Sequence, residues 1–394
     1  MRTRRGVSTS AVIAVVIVIV IIAVAAVELI PSNKSSSTSS SSTTTSSTST
    51  SSTTSSTSTT STNTDAALYQ AALKEGSVVV YGAPTAVQFA NITAAFNAVY
   101  PGINVQYTSL QPPAAVPQVE SELTAHGYSA DVLLQAATTM YTLEPAGSVC
   151  SCIAQYVSSY ASGFPKAVLD PLNMSTPIIE LAFGWAYNTG MISAANVPTT
   201  MAQVANSQFK GEIVMNDPTT GTAFTQYWAS LEGVLGNSTV TTFLHDLKNA
   251  TAPTIVPTTT SCMSDVASQA YAICLGGYMQ DAAPDIQAGA TMKFLNITDL
   301  PLMLTPSNAA ILKNAQHPNA ARLLVDFMAS PAGQTAWGNI NVRTPVSQTV
   351  TAKWSLKSEI ATFDPGAGTQ IYFPTPAVAT SASAWAATFA FLKP

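Results

Sequence analysis

Four cysteines, three histidines and a thin scatter of carboxylates are all that this 394-residue chain offers for covalent, acid–base or metal chemistry. His126, His245 and His317 lie far apart in the sequence. No Gly-x-Ser-x-Gly elbow, His-Glu-x-x-His pair or Gly-x-x-x-x-Gly-Lys-Ser/Thr loop occurs. General acid–base catalysis would have to be assembled from almost nothing, so an enzyme is not expected and no cofactor or metal is assigned. Cys150, Cys152, Cys262 and Cys274 allow three pairings. Cys262 with Cys274 closes a short loop worth about 3 kcal/mol, while Cys150-Ser151-Cys152 either closes a small ring or stays free. A Cys-x-Cys pair can also hold a metal, but the scattered histidines supply no tetrahedral set. Uncharged hydrogen-bonding groups are what the chain has in quantity. Thr219-Thr220-Gly221-Thr222 leads straight into a helical pattern, Ala223 to Leu235. A hydroxyl-rich turn at a helix start either caps the helix or presents free N–H groups to an oxygen-bearing ligand, and the two roles coexist.

Charge is scarce throughout. Asp, Glu, Lys and Arg make up 9% of the chain, against about 25% in an ordinary globular protein. Setting aside Arg2, Arg4, Arg5, Glu28 and Lys34 leaves 11 basic and 19 acidic residues, and no basic patch for nucleic acid. A surface of Ser, Thr, Asn, Gln and Ala has few carboxylates to protonate, so an acidic exterior would disturb it little.

The N-terminal 64 residues read as a mooring. Arg2, Arg4 and Arg5 precede an uncharged apolar run, Ala11 to Val27, which as a helix spans about 26 Å, or about 30 Å if continued to Ile30. The positive-inside rule leaves the N-terminus in the cytoplasm and the rest of the chain outside. Ala23-Val24-Ala25 offers the competing reading of a cleaved signal. The sequence around Gly6-Val7 resembles pilin-like leaders of archaeal surface proteins, whose processing would keep the apolar helix. From Ser35 to Thr64 only Asn63 is neither serine nor threonine, a solvated stalk that a released protein would not need. Sequons at Asn33, Asn91, Asn173, Asn237, Asn249 and Asn296 fit an exported glycoprotein.

The remaining 330 or so residues suffice for a two-lobed body. Ser77–Tyr81, Ile103–Tyr107 and Ala130–Leu134 read as strands, alternating with helices over Gln88–Val99 and Val116–Thr124, after a short helix Leu68–Lys74. That alternation predicts a parallel α/β sheet whose ligands bind beyond the carboxyl ends of the strands. The loops Gly82–Thr85 and Ala136–Thr139 therefore share one rim. Pro177–Tyr187 is extended and almost wholly apolar, and Lys210–Pro218 reads as a further strand. His317-Pro318 reads as a helix entry before Asn319–Ala329, and Arg343 as one arm of a surface or hinge-side ion pair, with a grip on an anionic ligand as the alternative.

Gly76-Ser-Val-Val-Val-Tyr81, Ala130-Asp-Val-Leu-Leu134, Ala186-Tyr-Asn-Thr189, Lys210-Gly-Glu-Ile-Val214, Asp217-Pro218, Ile311 to Ala321, Phe327 to Gln334 and Arg343-Thr-Pro-Val346 occur in an order that resembles the extracellular solute-binding proteins of ABC importers. The likeness runs from about residue 70 to 350 and points to the iron(III), thiamine and polyamine binders. It implies a two-lobed periplasmic-binding-protein-like (type II) α/β fold. The segments would be 1–30 anchor, 31–64 stalk, 65–175 first lobe, 176–299 second lobe, and 300–394 return to the first lobe with a C-terminal segment. Tyr81, Gly82, Ala83, Thr85, Ala137 and Thr138 would line the cleft from one lobe. Tyr187, Asn188, Thr219, Thr222 and Tyr278 would face them. Where iron(III) binders carry adjacent tyrosines, this chain has Tyr278-Met279, and a thioether is a poor ligand for a hard ferric ion. The implied partners are an ABC permease and a small polar solute. A sugar-like molecule comes first, a polyamine or thiamine-like cation second with only Asp217 and Asp281 at hand, and ferric ion last. The competing reading is a structural or adhesive surface protein assembled through its N-terminal helix. A disulfide between lobes would pin the hinge and is not expected.

Overall fold

The computed structural model describes residues 59–125, 127, 130–144, 150–220, 223–353, 371–372 and 375–393. The expected membrane segment, the expected stalk up to residue 58, Asn33, His126 and Thr222 lie outside them. Among the described residues no helix is long and apolar enough to cross a membrane.

The first helix, α1 (Thr59–Glu75), takes in the last six residues assigned to the stalk and starts well before Leu68. Ala72 is buried and Leu68, Tyr69 and Leu73 pack beside it on the core, and a docked turn propagates a helix at little further cost. There follow β1 (Ser77–Gly82), α2 (Ala86–Val99), β2 (Asn104–Ser109), α3 (Pro112–Thr124) and β3 (Val132–Ala136), with β1 parallel to both β2 and β3. Every residue of β3 is buried, as a central parallel strand covered on both faces requires. The predicted rim loop at 136–139 is a correction: β3 passes directly into α4 (Ala137–Leu143), whose buried Met140 and Leu143 hold it on the sheet.

After β4 (Ile153–Ala154) comes the long β5 (Thr176–Asn188), then α5 (Met201–Val204), β6 (Ile213–Asn216), α6 (Ala223–Leu235), α7 (Asn237–Thr251), β7 (Thr254–Val256), α8 (Thr259–Ala267), β8 (Ile273–Tyr278), α9 (Ala283–Gln287) and β9 (Met292–Phe294). The chain returns along β10 (Leu302–Leu312) to α10 (Pro318–Ala329), α11 (Pro331–Asn339) and β11 (Thr344–Pro345). It ends in β12 (Ile371–Tyr372), α12 (Pro376–Thr380) and α13 (Ala382–Thr388). The sheet order is β2-β1-β3-β10-β5-β8-β6-β7.

The two largest hydrophobic cores among the described residues lie along this sheet. One gathers Phe89, Phe96, Leu134, Phe327 and Trp337 from both ends of the sequence. The other gathers Trp185, Phe224, Trp228, Phe243 and Leu275 from the middle, joined by Phe389 and Leu392 from the C-terminus. Residues 300–394 therefore do not all belong with the first core. Gly276 is needed where Phe224 lies on β8: its φ is +78° and a Cβ there would fall 1.7 Å from the ring. Cys262 of α8 is bonded to Cys274 of β8, and Cys150 to Cys152, so each bridge stays within one part of the sheet.

Candidate functional site

Strand direction fixes where the two halves face each other. Ala136, the carboxyl end of β3, lies opposite Ser307, so residues 302–306 of β10 run on beyond that end. Tyr278, the carboxyl end of β8, lies opposite Phe183 of β5. Between these points β5 and β10 run side by side, Glu180 against Pro306 and Phe183 against Met303. The carboxyl ends of β1–β3 and of β6–β8 thus converge on one short crossing.

Tyr81 and Gly82 end β1, Ala83 and Thr85 follow in the turn to α2, Ala137 and Thr138 open α4, Thr219 follows β6 and Tyr278 ends β8, so each stands at or just past the carboxyl end of a strand. Tyr187 and Asn188 lie away from this crossing. Tyr187 is opposite Ile273, at the amino end of β8, about 13 Å along β5 from Phe183. Asn188 is fully buried and spends its amide internally, donating to Val266 O at 2.8 Å and accepting from Gly190 N at 2.8 Å. It braces a turn, which corrects the assignment of both residues to the rim.

The first wall is laced by side chains that sequence reasoning passed over. The Tyr107 hydroxyl donates to Gly82 O at 2.8 Å and Pro84 O at 2.5 Å, with its ring stacked on Phe89. Gln111 Nε2 donates to Ala83 O, and Gln135 Nε2 to Leu110 O. Thr85 forms a capping box with Gln88 at the start of α2. The Tyr81 hydroxyl reaches Glu122 at 3.4 Å, and burial followed by that carboxylate raises its pKa. Thr138 Oγ1 is buried with no hydrogen-bond partner among the described residues.

On the facing wall, Thr219 donates through N and Oγ1 to Asp217 Oδ1, at 2.8 and 2.6 Å. Thr225 Oγ1 donates to Pro218 O and fixes the start of α6. Tyr278 stacks near Phe183, centroids 4.3 Å apart; burial and then Asp281 push its hydroxyl above the ordinary phenol range. Arg343, beside β11, meets Asp281, just after β8, at 3.1 Å, with Thr259 Oγ1 donating to the same carboxylate at 2.9 Å.

The crossing itself carries the most unusual group. Glu180 is 2% exposed, neither carboxylate oxygen has a partner among the described residues, and burial pushes its pKa up to about 8. Gln280 caps the neighbouring gap between β11 and β8 by accepting from Ala182 N at 3.2 Å, leaving its Nε2 unbonded. A carboxylate interrupting the apolar run Pro177–Tyr187 was the signal for this site. Between the halves lies a cavity of ≈ 270 Å³ lined by α3, α4, Thr220, α6 and the α12–α13 region. Its walls carry Thr139, Thr142, Thr220, Gln226, Thr380 and Ser383, and none of the described residues lining it is charged. Gln226 Oε1 is buried and unbonded among the described residues, a state costing about 1–3 kcal/mol unless a donor arrives. No group of three or more His, Cys, Asp or Glu that could hold a metal ion occurs among the described residues.

An antiparallel crossing between two sets of parallel strands defines a periplasmic-binding-protein-like α/β fold. The chain belongs to the bacterial extracellular solute-binding proteins, whose family model matches residues 77–339. The family is one of solute-binding proteins, which bind their ligands and do not transform them. The fold is similar to that of the fructose-6-phosphate-bound periplasmic binding protein AfuA from Actinobacillus pleuropneumoniae (TM-score 0.67, 19% identity, covering 80% of this chain and 97% of that one). It is also similar to iron-bound HitA from Pseudomonas aeruginosa (0.65, 20%, 81% and 99%) and to the substrate-binding protein of an ABC transporter from Agrobacterium tumefaciens (0.68, 15%, 82% and 96%). No curated protein matches the chain.

Proposed function

We propose that this protein captures a small, neutral, oxygen-rich solute of sugar-like chemistry outside the cell and delivers it to an ABC permease. In this reading residues 65–175 with 300–345 form one lobe, 176–299 form the other, and β5 and β10 are the hinge. The N-terminal apolar helix and Ser/Thr stalk tether the body to the cytoplasmic membrane. The observation that carries the solute class is a cavity with no charged residue among its described lining, walled by hydroxyls and by the Gln226 amide, whose Oε1 has no partner among the described residues. A phosphate like that of the AfuA ligand would want an arginine fork, and the nearest guanidinium in the crossing, Arg343, is held by Asp281. Ferric ion, the ligand of HitA, would want hard oxygen ligands, whereas Tyr278 is followed by Met279 and no group of three or more His, Cys, Asp or Glu occurs among the described residues.

A second reading has one observation behind it. The unpartnered carboxyl of Glu180 suits a polyamine or thiamine-like cation. Isothermal titration with neutral monosaccharides, fructose-6-phosphate, putrescine, thiamine and ferric citrate separates these. Binding of a monosaccharide supports the first reading. Binding of putrescine or thiamine that is lost in Glu180→Gln moves the assignment to the second, and tight ferric binding defeats both.

A further inference from the structure

The C-terminal residues 375–393 lie beyond the stretch matched by the family, and they touch both sides of the gap. On one side Ala379 of α12, 1% exposed, is buried with Ala137 and Tyr141 of α4. On the other, α13 rests on α6, and Phe389 and Leu392 are buried in the second core. Phe391 stacks on His245 with centroids 4.0 Å apart. The Lys248 ammonium donates to Phe391 O at 2.5 Å and to Lys393 O at 3.2 Å. The attachments are unequal. Two large apolar side chains, a ring stack and an ammonium hold the segment to the second half, while on the first half α12 packs along α4 through its Ala379 face, against Ala137 and Tyr141. Separation of the halves would therefore break the Ala379 seam and leave the segment riding on the second half.

Between these attachments Thr380 and Ser383 share the ≈ 270 Å³ cavity with Thr139, Thr220 and Gln226. Gln226 is 3% exposed and its Oε1 has no partner among the described residues, so the cavity wall carries a buried acceptor that a guest hydroxyl can satisfy. We propose that residues 375–393 are a strap that closes the solute site, latching the halves and contributing Thr380 and Ser383 to the wall that grips a neutral polyol about the size of a sugar ring. The solute class rests on the reading under Proposed function; the strap does not.

Hydrogen exchange tests the latch without any ligand. Ala379→Asp places a charge in the seam, and Lys248→Met removes the grip on Phe391 and Lys393. Each is expected to speed exchange of the α4 amides, 137–143, by about tenfold, with those of α10, 318–329, unchanged. Unaltered α4 exchange in both variants overturns the latch. Calorimetry with D-glucose, D-fructose and D-mannose tests the wall. The native chain is expected to bind at least one of them, and Ser383→Trp, which fills the cavity, to weaken that binding about a hundredfold or more. Native-like affinity in Ser383→Trp overturns the wall assignment. If the native chain binds none of the three, the solute class falls, and the exchange result alone decides on the strap.

Discussion

Replacing Glu180 by glutamine should make the protein more stable, and by an amount that depends on pH. Its carboxyl has no hydrogen-bond partner among the described residues, and burial alone raises its pKa from 4.5 to about 8. The folded state then keeps a proton that the unfolded chain has released, so stability falls as pH rises. Below pH 4.5 both states are protonated and nothing is lost; the loss grows through the window from 4.5 to 8 and is complete above it. It amounts to about 3 kcal/mol at pH 7 and about 5 kcal/mol at pH 9. Glutamine keeps the shape and has no proton to release. Glu180→Gln should match the native chain at pH 4 to within about 1 kcal/mol and melt about 5–10 °C higher at pH 9. Glu144, pushed up to about 8 by burial and by Asp170, adds the same pH trend to both proteins and cancels in their difference. Differential scanning calorimetry at pH 4, 7 and 9 reads the result. A difference in Tm that ignores pH, or a variant less stable at pH 9, refutes the reasoning, because it would mean that the charged carboxylate has a stabilising partner.

Three further outcomes are expected. Changing Cys262 and Cys274 together to alanine removes a bridge spanning 12 positions and should cost about 3 kcal/mol in urea unfolding; an unchanged midpoint would show the bond is not formed in solution. Arg343→Met strips Asp281 of its guanidinium while leaving the Thr259 donor, with an expected loss of about 1–3 kcal/mol that shrinks when Asp281→Asn is added. Ferric citrate added to the native chain should raise no visible phenolate-to-iron absorbance, since no group of three or more His, Cys, Asp or Glu that could complete a ligand set occurs among the described residues; a band that vanishes in Tyr278→Phe would reverse that assignment.

Much of the architecture was legible because the pattern was local. β1 through β3 and their helices announced themselves by alternating apolar runs, and α6 starts and ends where its helical pattern does. Boundaries failed where tertiary contact overrides propensity: the threonines that begin α1 look like stalk, yet they continue a docked helix. Tyr187 and Asn188 were misplaced because a strand-end motif does not say which end of the sheet it reaches. Only the pairing of Tyr187 with Ile273, instead of with Tyr278, answers that. Glu180 was visible as a charge within an apolar run, but its meaning depends on the absence of a neighbour. The strap was least legible, since small residues such as Ala379 and Ser383 carry no pattern and matter only through what they close over.

The central claim is that the gap between the two halves is a trap for a small neutral solute. Native mass spectrometry of the protein purified from its own cells, followed by denaturation and identification of anything released, tests it most directly. A stoichiometric mass excess that is released as a neutral polyhydroxylated molecule is the predicted result. Release of iron, or a ligand-free protein that assembles into filaments through its N-terminal helix, would contradict it.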